Sequence, residues 1–220
     1  SRGEEQTMPV STRAVVLMGT GLVVLWVGLG GLTMRRFQKP CRKAVQAIRV
    51  DWRLKFVVLA TLLALAEEAI TTTLTNLAPW LGVPIGAAYI TASANYLDVG
   101  CLHRVVAFVP MFVGWAVLLR YYDFSPNVGF LLFGSTGVIA EVMFGGVKAV
   151  LEFGLWIFVY GLMVYLPAYT VPSERGAKRP QVWQYGLAVF LPLLFAVPVA
   201  VVIHALHPIK IHFPPILPGS

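Results

Sequence analysis

The sequence predicts an all-α, polytopic transmembrane helix bundle with about six spanning helices and a cytoplasmic amphipathic helix. Two observations support this prediction. Of the 220 residues, 58% are hydrophobic and 12% are charged, whereas soluble domains carry about 25% charged residues. The apolar runs also reach about 20 residues, the length that crosses roughly 30 Å of hydrocarbon. We therefore expect a single integral membrane domain over residues 1–220.

Six runs have the required length. We predict spanning helices at 14–34, 56–78, 102–120, 128–146, 150–168 and 185–206. The first run is too long for the hydrophobic region of a signal peptide, so we expect it to be retained. Between the second and third runs, residues 79–100 mix proline, glycine and polar residues. Because irregular backbone at membrane depth needs partners from protein or enclosed water, we expect an interfacial or re-entrant segment there.

The basic residues predict the orientation. The loop between the first two helices holds eight lysines and arginines and one acid, Asp51. By the positive-inside rule this loop faces the cytoplasm, so six crossings place both termini on the non-cytoplasmic side of the cell membrane. Apolar residues recur at helical spacing among these bases, which predicts the amphipathic helix on the inner surface. They are Phe37, Ala44, Val45, Ile48 and Trp52.

The same loop predicts the partners. A net charge of +7 is explained by anionic lipids, which attract basic loops by about 1 kcal/mol per residue. We expect contact with the lipid bilayer and with these anionic lipids, and no nucleic acid. Other membrane subunits are further candidate partners, because small residues such as Gly21 and Gly28 in the first helix suit helix contacts.

Two adjacent carboxyls lie midway along the second predicted helix. Glu67 and Glu68 would each cost about 2.5–3.5 kcal/mol if charged at the bilayer centre, so they are expected to face the bundle interior or a wet cavity. Thr71 and Thr75 follow Glu67 at intervals of four residues, and Asn76 ends the patch. Since buried like charges repel, at least one carboxyl should stay protonated unless a cation is near. The five residues form our predicted binding site.

A third carboxyl lies on a glycine-rich helix face. Gly134, Gly137, Glu141 and Gly145 fall on one side of the fourth helix, where small residues let a neighbouring helix approach closely. Glu141 either holds two helices together as a neutral carboxyl or belongs to the binding site with Glu67 and Glu68. Glu152 and Lys148 are expected to pair at a helix end.

Histidines and cysteines give no metal-binding frame. His103 begins the third predicted helix, and His204, His207 and His212 lie at or beyond the end of the sixth. The two cysteines form no CxxC pair. We therefore expect no metal site, and the sequence indicates no particular cofactor.

The carboxyl pair also suggests a family resemblance. Glu67 and Glu68, followed about 35 residues later by His103, resemble the glutamate-dependent CAAX-processing intramembrane proteases. That resemblance implies a glutamate acting as general base on a water, with His103 as its partner. Thr72 occupies the position of the family's arginine, and Val99 that of its phenylalanine.

Three functions of different class follow. The first is binding or translocation of a small molecule or ion at a site of Glu67, Glu68 and Glu141. The second is a non-catalytic role in a larger membrane complex. The third is intramembrane hydrolysis by Glu67 or Glu68 with His103. Whether the protein is an enzyme stays open at this point.

The predicted orientation can be tested by cysteine labelling in sealed cells. In a background without Cys41 and Cys101, an impermeant reagent should label cysteines introduced at Thr7 and Ile216, because both ends are predicted to lie outside. A cysteine at Ala44 should stay unlabelled until the membrane is opened. Labelling of the Ala44 position in intact cells would reverse the predicted orientation.

Overall fold

Within the part of the chain that the structure describes there are six helices, and a longer irregular segment joins the second to the third. The computed structural model describes residues 9–145, 153–206 and 212–213. The helices are α1 Val10–Ala47, α2 Trp52–Asn76, α3 Asp98–Tyr121, α4 Pro126–Gly145, α5 Phe153–Thr170 and α6 Val182–Leu206. No strand forms within the described residues, so the predicted all-α fold is confirmed.

Four helices, α1, α3, α4 and α6, are long and apolar enough to cross a membrane. Helix α5 is also apolar, over the slightly shorter stretch Gly154–Thr170. Helix α2 has 25 residues, but two bases in its first turn and the two central glutamates make it more polar. Five of the six predicted spans coincide with one helix to within four residues where the chain is described, and the first, 14–34, covers only part of the longer α1. The helices are those of a membrane protein, and six crossings stay a prediction.

The helices differ in how much of their apolar surface is covered. In α3, 60% of the apolar stretch is buried, against 17% in α1 and 11% in α6. Helix α3 is therefore central, and its aromatic residues form the core with those that follow it in the chain. This core contains Phe108, Phe112, Trp115, Phe124 and Phe133. Large apolar side chains cover the outer faces of α1 and α6, as expected for contact with lipid.

Helix α1 is one continuous helix of 38 residues, about 57 Å long. Its turns widen to π-helical geometry over Val23–Gly30 and then return to α-helix. The predicted amphipathic segment is helical, but it continues α1 as residues 31–47 and does not form a separate helix. Ile48 and Trp52 lie beyond its end. Gly21, expected on an exposed face, packs within the chain against Leu74 of α2.

Hydrogen bonds along its length hold α1 against α5. The buried indole Nε1 of Trp26 donates to the carbonyl of Val159 at 3.0 Å. Twenty residues later, Gln46 Nε2 donates to the carbonyl of Thr170 at 3.1 Å. The two helices therefore run side by side from the bundle centre to the end of α5.

Helices α4 and α5 make the most extensive contact in the bundle. Glycine allows their backbones to approach closely, as the glycine face of α4 predicted. A Cβ atom added at Gly137 would overlap the Tyr160 ring, and one added at Gly161 would lie 2.6 Å from the carbonyl oxygen of Phe130. The predicted face of small residues is thus the interface with α5.

Most lysines and arginines lie toward one end of the bundle, which we call the basic end. It comprises the second half of α1, the α1–α2 turn, the α3–α4 loop and the α5–α6 loop. Arg175 joins two of them, donating to the carbonyl of Leu119 at 2.6 Å and to Asp123 Oδ1 at 2.6 Å. The start of α1 and residues 212–213 both lie at the opposite end, beside the irregular segment. Which end faces the cytoplasm stays a prediction.

Asp51 begins α2 at the basic end. Its carboxylate caps the helix by accepting from the backbone N–H of Arg53 at 2.8 Å. The Arg53 guanidinium donates to the same side chain, and this bond lowers the pKa of Asp51 to about 2. The capping carboxylate is therefore ionised at physiological pH, and its contribution to the stability of the fold is lost only as the pH falls through about 2.

The irregular segment joins α2 to α3. After a single 3₁₀ turn, Ala78–Leu81, it lacks regular structure up to Asp98, where α3 begins. Gly82 and Gly86 have φ of 82° and 94°, left-handed values that favour glycine. The segment packs against α1 through a small apolar cluster that includes Ala14, Met18 and Ala88.

Candidate functional site

The predicted carboxyl pair lies inside the bundle. Glu67 and Glu68, just past the middle of α2, are 1% and 3% exposed. They continue the buried face of α2, which is apolar in the first half of the helix, with Phe56, Ala60 and Ala64. The same face thus changes from a packing surface to a polar one at Glu67. Charged groups rarely take such positions unless other polar groups accompany them.

Threonines provide those polar groups on the next two turns. Thr71, Thr72 and Thr75 are each no more than 1% exposed. Thr71 Oγ1 lies 3.1 Å from the carbonyl oxygen of Glu68 and 3.3 Å from Glu68 Oε2. One hydroxyl proton can serve only one acceptor at a time, so Thr71 can donate to the backbone or to the carboxyl.

The irregular segment adds a hydroxyl from outside α2. Thr91, 2% exposed, places Oγ1 3.3 Å from Glu68 Oε2. Glu68 precedes the end of α2 by eight residues, about 12 Å along the helix, so the segment reaches well down the side of α2. We call Glu67, Glu68, Thr71, Thr72, Thr75 and Thr91 together the polar cluster.

Two predicted site residues hold the irregular segment in place. Thr75 Oγ1 accepts from the backbone N–H of Ile90 at 3.2 Å. Asn76 Nδ2 donates to the carbonyl of Ala94 at 2.9 Å and to that of Thr72 at 3.0 Å. Both side chains therefore satisfy backbone groups and position Thr91 beside Glu68. Sequence analysis did not identify Thr91, although the polar character of 79–100 indicated that the segment would need partners.

One hydroxyl of the cluster has no hydrogen-bond partner among the described residues. Thr72 Oγ1 is buried and makes no hydrogen bond there, and Thr72 follows Glu68 by one helical turn. A buried hydroxyl without a partner costs about 1–3 kcal/mol. A bound ion or polar molecule in the cluster would offer the missing contact.

Glu141 contacts the neighbouring helix α5. The Tyr160 hydroxyl of α5 donates to Glu141 Oε1, across the glycine-lined interface of α4 and α5. Tyr160 is buried, and its ring lies 5.6 Å from that of Phe108 in α3. This geometry fits the expectation that Glu141 joins two helices. That Glu141 also belongs to the binding site with Glu67 and Glu68 stays a prediction.

The histidines are distributed over three places. Helix α3 enters beside α2, since a Cβ atom added at Gly100 would lie 3.4 Å from Leu65. The backbone of His103 follows one turn later, and its side chain lies outside the described portion of the chain. His204 is exposed on α6. His212 Nδ1 lies 3.1 Å from Asp98 Oδ2 at the start of α3.

Some predicted features cannot be placed. Lys148, Glu152 and His207 lie outside the described residues, as does the predicted pairing of Lys148 with Glu152. Among the residues that are described, no three histidine, cysteine or acidic side chains converge as a metal-binding group.

No protein-family model, curated protein or solved structure matches this chain.

Replacing Glu141 tests its role between the helices. Glu141→Gln keeps an acceptor for Tyr160 and should change the unfolding free energy by less than about 1 kcal/mol. Glu141→Leu should destabilise by about 1–3 kcal/mol, because the Tyr160 hydroxyl then loses this acceptor. The measurement is thermal unfolding in detergent.

A double-mutant cycle provides the control. Adding Tyr160→Phe to Glu141→Leu removes both partners and should recover some of the lost stability. Equal stability of Glu141→Leu and wild type would show that the hydrogen bond is unimportant.

Proposed function

We propose that the chain is a multi-pass membrane protein that binds and translocates a small ion or polar molecule at the polar cluster. The observation that carries this proposal is the burial of two adjacent carboxyls among hydroxyls from two separate chain segments. Glu67 and Glu68 are almost fully buried, and Thr71 and Thr91 both lie within hydrogen-bond distance of Glu68. A single structural hydrogen bond would not require two adjacent acids.

The chemistry of the cluster favours a cation or a proton as the ligand. Every side chain in it presents oxygen, and carboxyl and hydroxyl oxygens are ligands that hard cations prefer. The carboxyl pair can exchange protons for such a cation, since buried like charges favour a shared proton or counter-ion. Thr72 adds a buried hydroxyl with bonding capacity to spare.

The position of the cluster also suits translocation. Secondary transporters bind their ions near mid-membrane, where irregular backbone lines a cavity beside a helix. Here the segment between Ala78 and Asp98 reaches down α2 to Glu68. Its carbonyls and hydroxyls can replace some of an ion's hydration shell.

Ligand-induced stabilisation tests the proposal. Purified protein is titrated separately with Na⁺, K⁺, Mg²⁺ and Ca²⁺, at a pH where proton competition is weak, and thermal unfolding is recorded. We expect one cation to stabilise wild type, by about 2.7 kcal/mol at a hundred times its Kd. In proteoliposomes, a gradient of that cation should drive its uptake or a counterflow of protons.

The decisive variant is Glu67→Gln/Glu68→Gln, which keeps size and hydrogen bonding but removes both carboxyls. It should fold, lose the stabilisation and lose transport. Glu174→Gln, at an exposed position of the α5–α6 loop, removes one acid and should behave like wild type. Unchanged stabilisation in the double variant would refute the site.

Intramembrane hydrolysis is the second candidate. One contact favours it. Gly100, near the start of α3, lies against Leu65 of α2, two residues before the carboxyl pair, so the backbone of His103 comes near α2. The two candidates differ in their dependence on this histidine. Hydrolysis requires His103 to act with a glutamate, so peptide cleavage lost in His103→Gln, without any cation effect on wild type, would favour the enzyme.

A role as a subunit of a larger complex is a third proposal, with less support. It rests on glycine faces in α1, but Gly21 contacts Leu74 of the same chain, and a Cβ atom added at Gly28 would meet its own helix alone. Co-purification of one stoichiometric membrane partner would favour it.

A further inference from the structure

The second half of α1 presents basic side chains away from the bundle. Arg35, Arg36, Lys39 and Lys43 are all exposed, and we call them the basic face. Leu32, Arg36, Lys39 and Lys43 follow one another at i, i+4, i+7 and i+11, so they share one side of the helix. Arg35 lies beside that side.

The opposite side of the same turns packs on α5 and fixes this direction. Met34 is 6% exposed, and Gln38 accepts from the Tyr165 hydroxyl at 3.0 Å. Cys41 also packs against the core. Since α1 is one continuous helix tied to α5, the basic face cannot turn inward without breaking these contacts.

Three other bases at this end form hydrogen bonds or ion pairs within the chain. Arg53 pairs with Asp51 at 2.9 Å. Lys55 Nζ donates to the carbonyls of Val45 and Ile48 at 3.0 and 3.1 Å, and Arg175 binds Asp123 and loop carbonyls. Residues 31–55 contain one acid, Asp51, and it pairs with Arg53. No acid of this stretch therefore neutralises the basic face.

The basic face begins where the lipid-facing surface of α1 ends. Leu29 and Leu32 are 62% and 68% exposed and directly precede it along the helix. Long basic side chains at such a boundary extend toward the lipid headgroups. The occupant therefore needs an apolar moiety beside the leucines and an anionic group located one to three turns further along the helix.

We propose that the basic face binds the headgroups of anionic phospholipids and thereby fixes the depth of α1 in the membrane. Negative headgroups complement the charge, and acyl chains complement the adjacent leucines. This inference concerns the far end of α1 and is independent of the polar cluster.

Lipid retention tests this proposal. The full chain is reconstituted in a mixture of phosphatidylglycerol and phosphatidylcholine and extracted in mild detergent, and the retained lipids are quantified by mass spectrometry. Each base near an anionic surface contributes about fivefold in affinity. Wild type should retain phosphatidylglycerol over phosphatidylcholine by about a hundredfold or more. In Arg36→Gln/Lys39→Gln/Lys43→Gln, which leaves only Arg35 of the basic face, the preference should fall to about fivefold or less.

Three controls make the result specific. Arg36→Lys/Lys39→Arg/Lys43→Arg preserves the charge and should keep the preference. If the glutamine variant does not fold, this variant still shows whether charge, and not the identity of each base, determines the preference. Arg13→Gln, exposed near the start of α1, should have no effect. Raising salt from about 0.1 M to about 1 M shortens the screening length from about 10 Å to about 3 Å and should weaken retention.

Two outcomes would overturn the proposal. One is a folded triple glutamine variant that keeps the wild-type preference. The other is displacement of phosphatidylglycerol by an equal concentration of inorganic phosphate, which would show that the face binds the free anion and that the lipid contributes nothing.

Discussion

The hydrogen bonds between the end of α2 and the irregular segment determine much of this structure. Backbone without regular structure cannot lie against a membrane helix unless its N–H and C=O groups find partners. Thr75 and Asn76 supply two of these partners, bonding to Ile90 and Ala94. The segment is thereby held along α2, and Thr91 is carried to Glu68. Without this attachment Thr91 would not lie beside Glu68.

The polar cluster combines two opposing requirements. Carboxyls inside a bundle are destabilising unless neutralised or solvated by neighbours. Hydroxyls from Thr71 and Thr91 solvate Glu68 at distances of 3.3 Å, which are long for O–H···O bonds. The buried Thr72 hydroxyl, which has no hydrogen-bond partner among the described residues, adds further bonding capacity beside these contacts.

The remainder of the bundle is held together by apolar packing and by loop contacts. Helix α3 supplies Phe108, Phe112 and Trp115 to the core. The close contact of α4 with α5 depends on glycines that admit the Tyr160 ring and the Phe130 carbonyl. At the basic end, Arg175 joins the loops after α3 and α5. The ionisable groups thus divide among helix packing, loop attachment, the exposed basic face and the polar cluster.

Local spacing in the sequence predicted the features that depend on a single helix. The spacing of Glu67, Thr71 and Thr75 predicted a polar face on α2, and all three residues are buried together. The glycines at positions 134 and 137 likewise predicted a close helix contact. Contacts between distant segments could not be predicted, because periodicity carries no information about which helices meet. Thr91 beside Glu68 and Tyr160 beside Glu141 are of this kind.

The continuity of α1 was missed for a different reason. The predicted span ended at Met34, where the apolar run changes to basic residues, and a change of composition does not show whether a helix continues. Gly30 and Gly31 precede this change. Both have φ of −61° and remain helical. Contacts with α5 keep the helix intact through them, and such contacts override the local preference.

The central claim is that Glu67 and Glu68 exchange a proton or cation at the polar cluster. Infrared difference spectroscopy of the reconstituted protein measures this directly, because protonated carboxyls and carboxylates absorb at different frequencies. On raising the pH, or on adding the stabilising cation, wild type should lose protonated-carboxyl signal and gain carboxylate signal, and Glu67→Gln/Glu68→Gln should lack that change. Identical difference spectra for the two proteins would contradict the account.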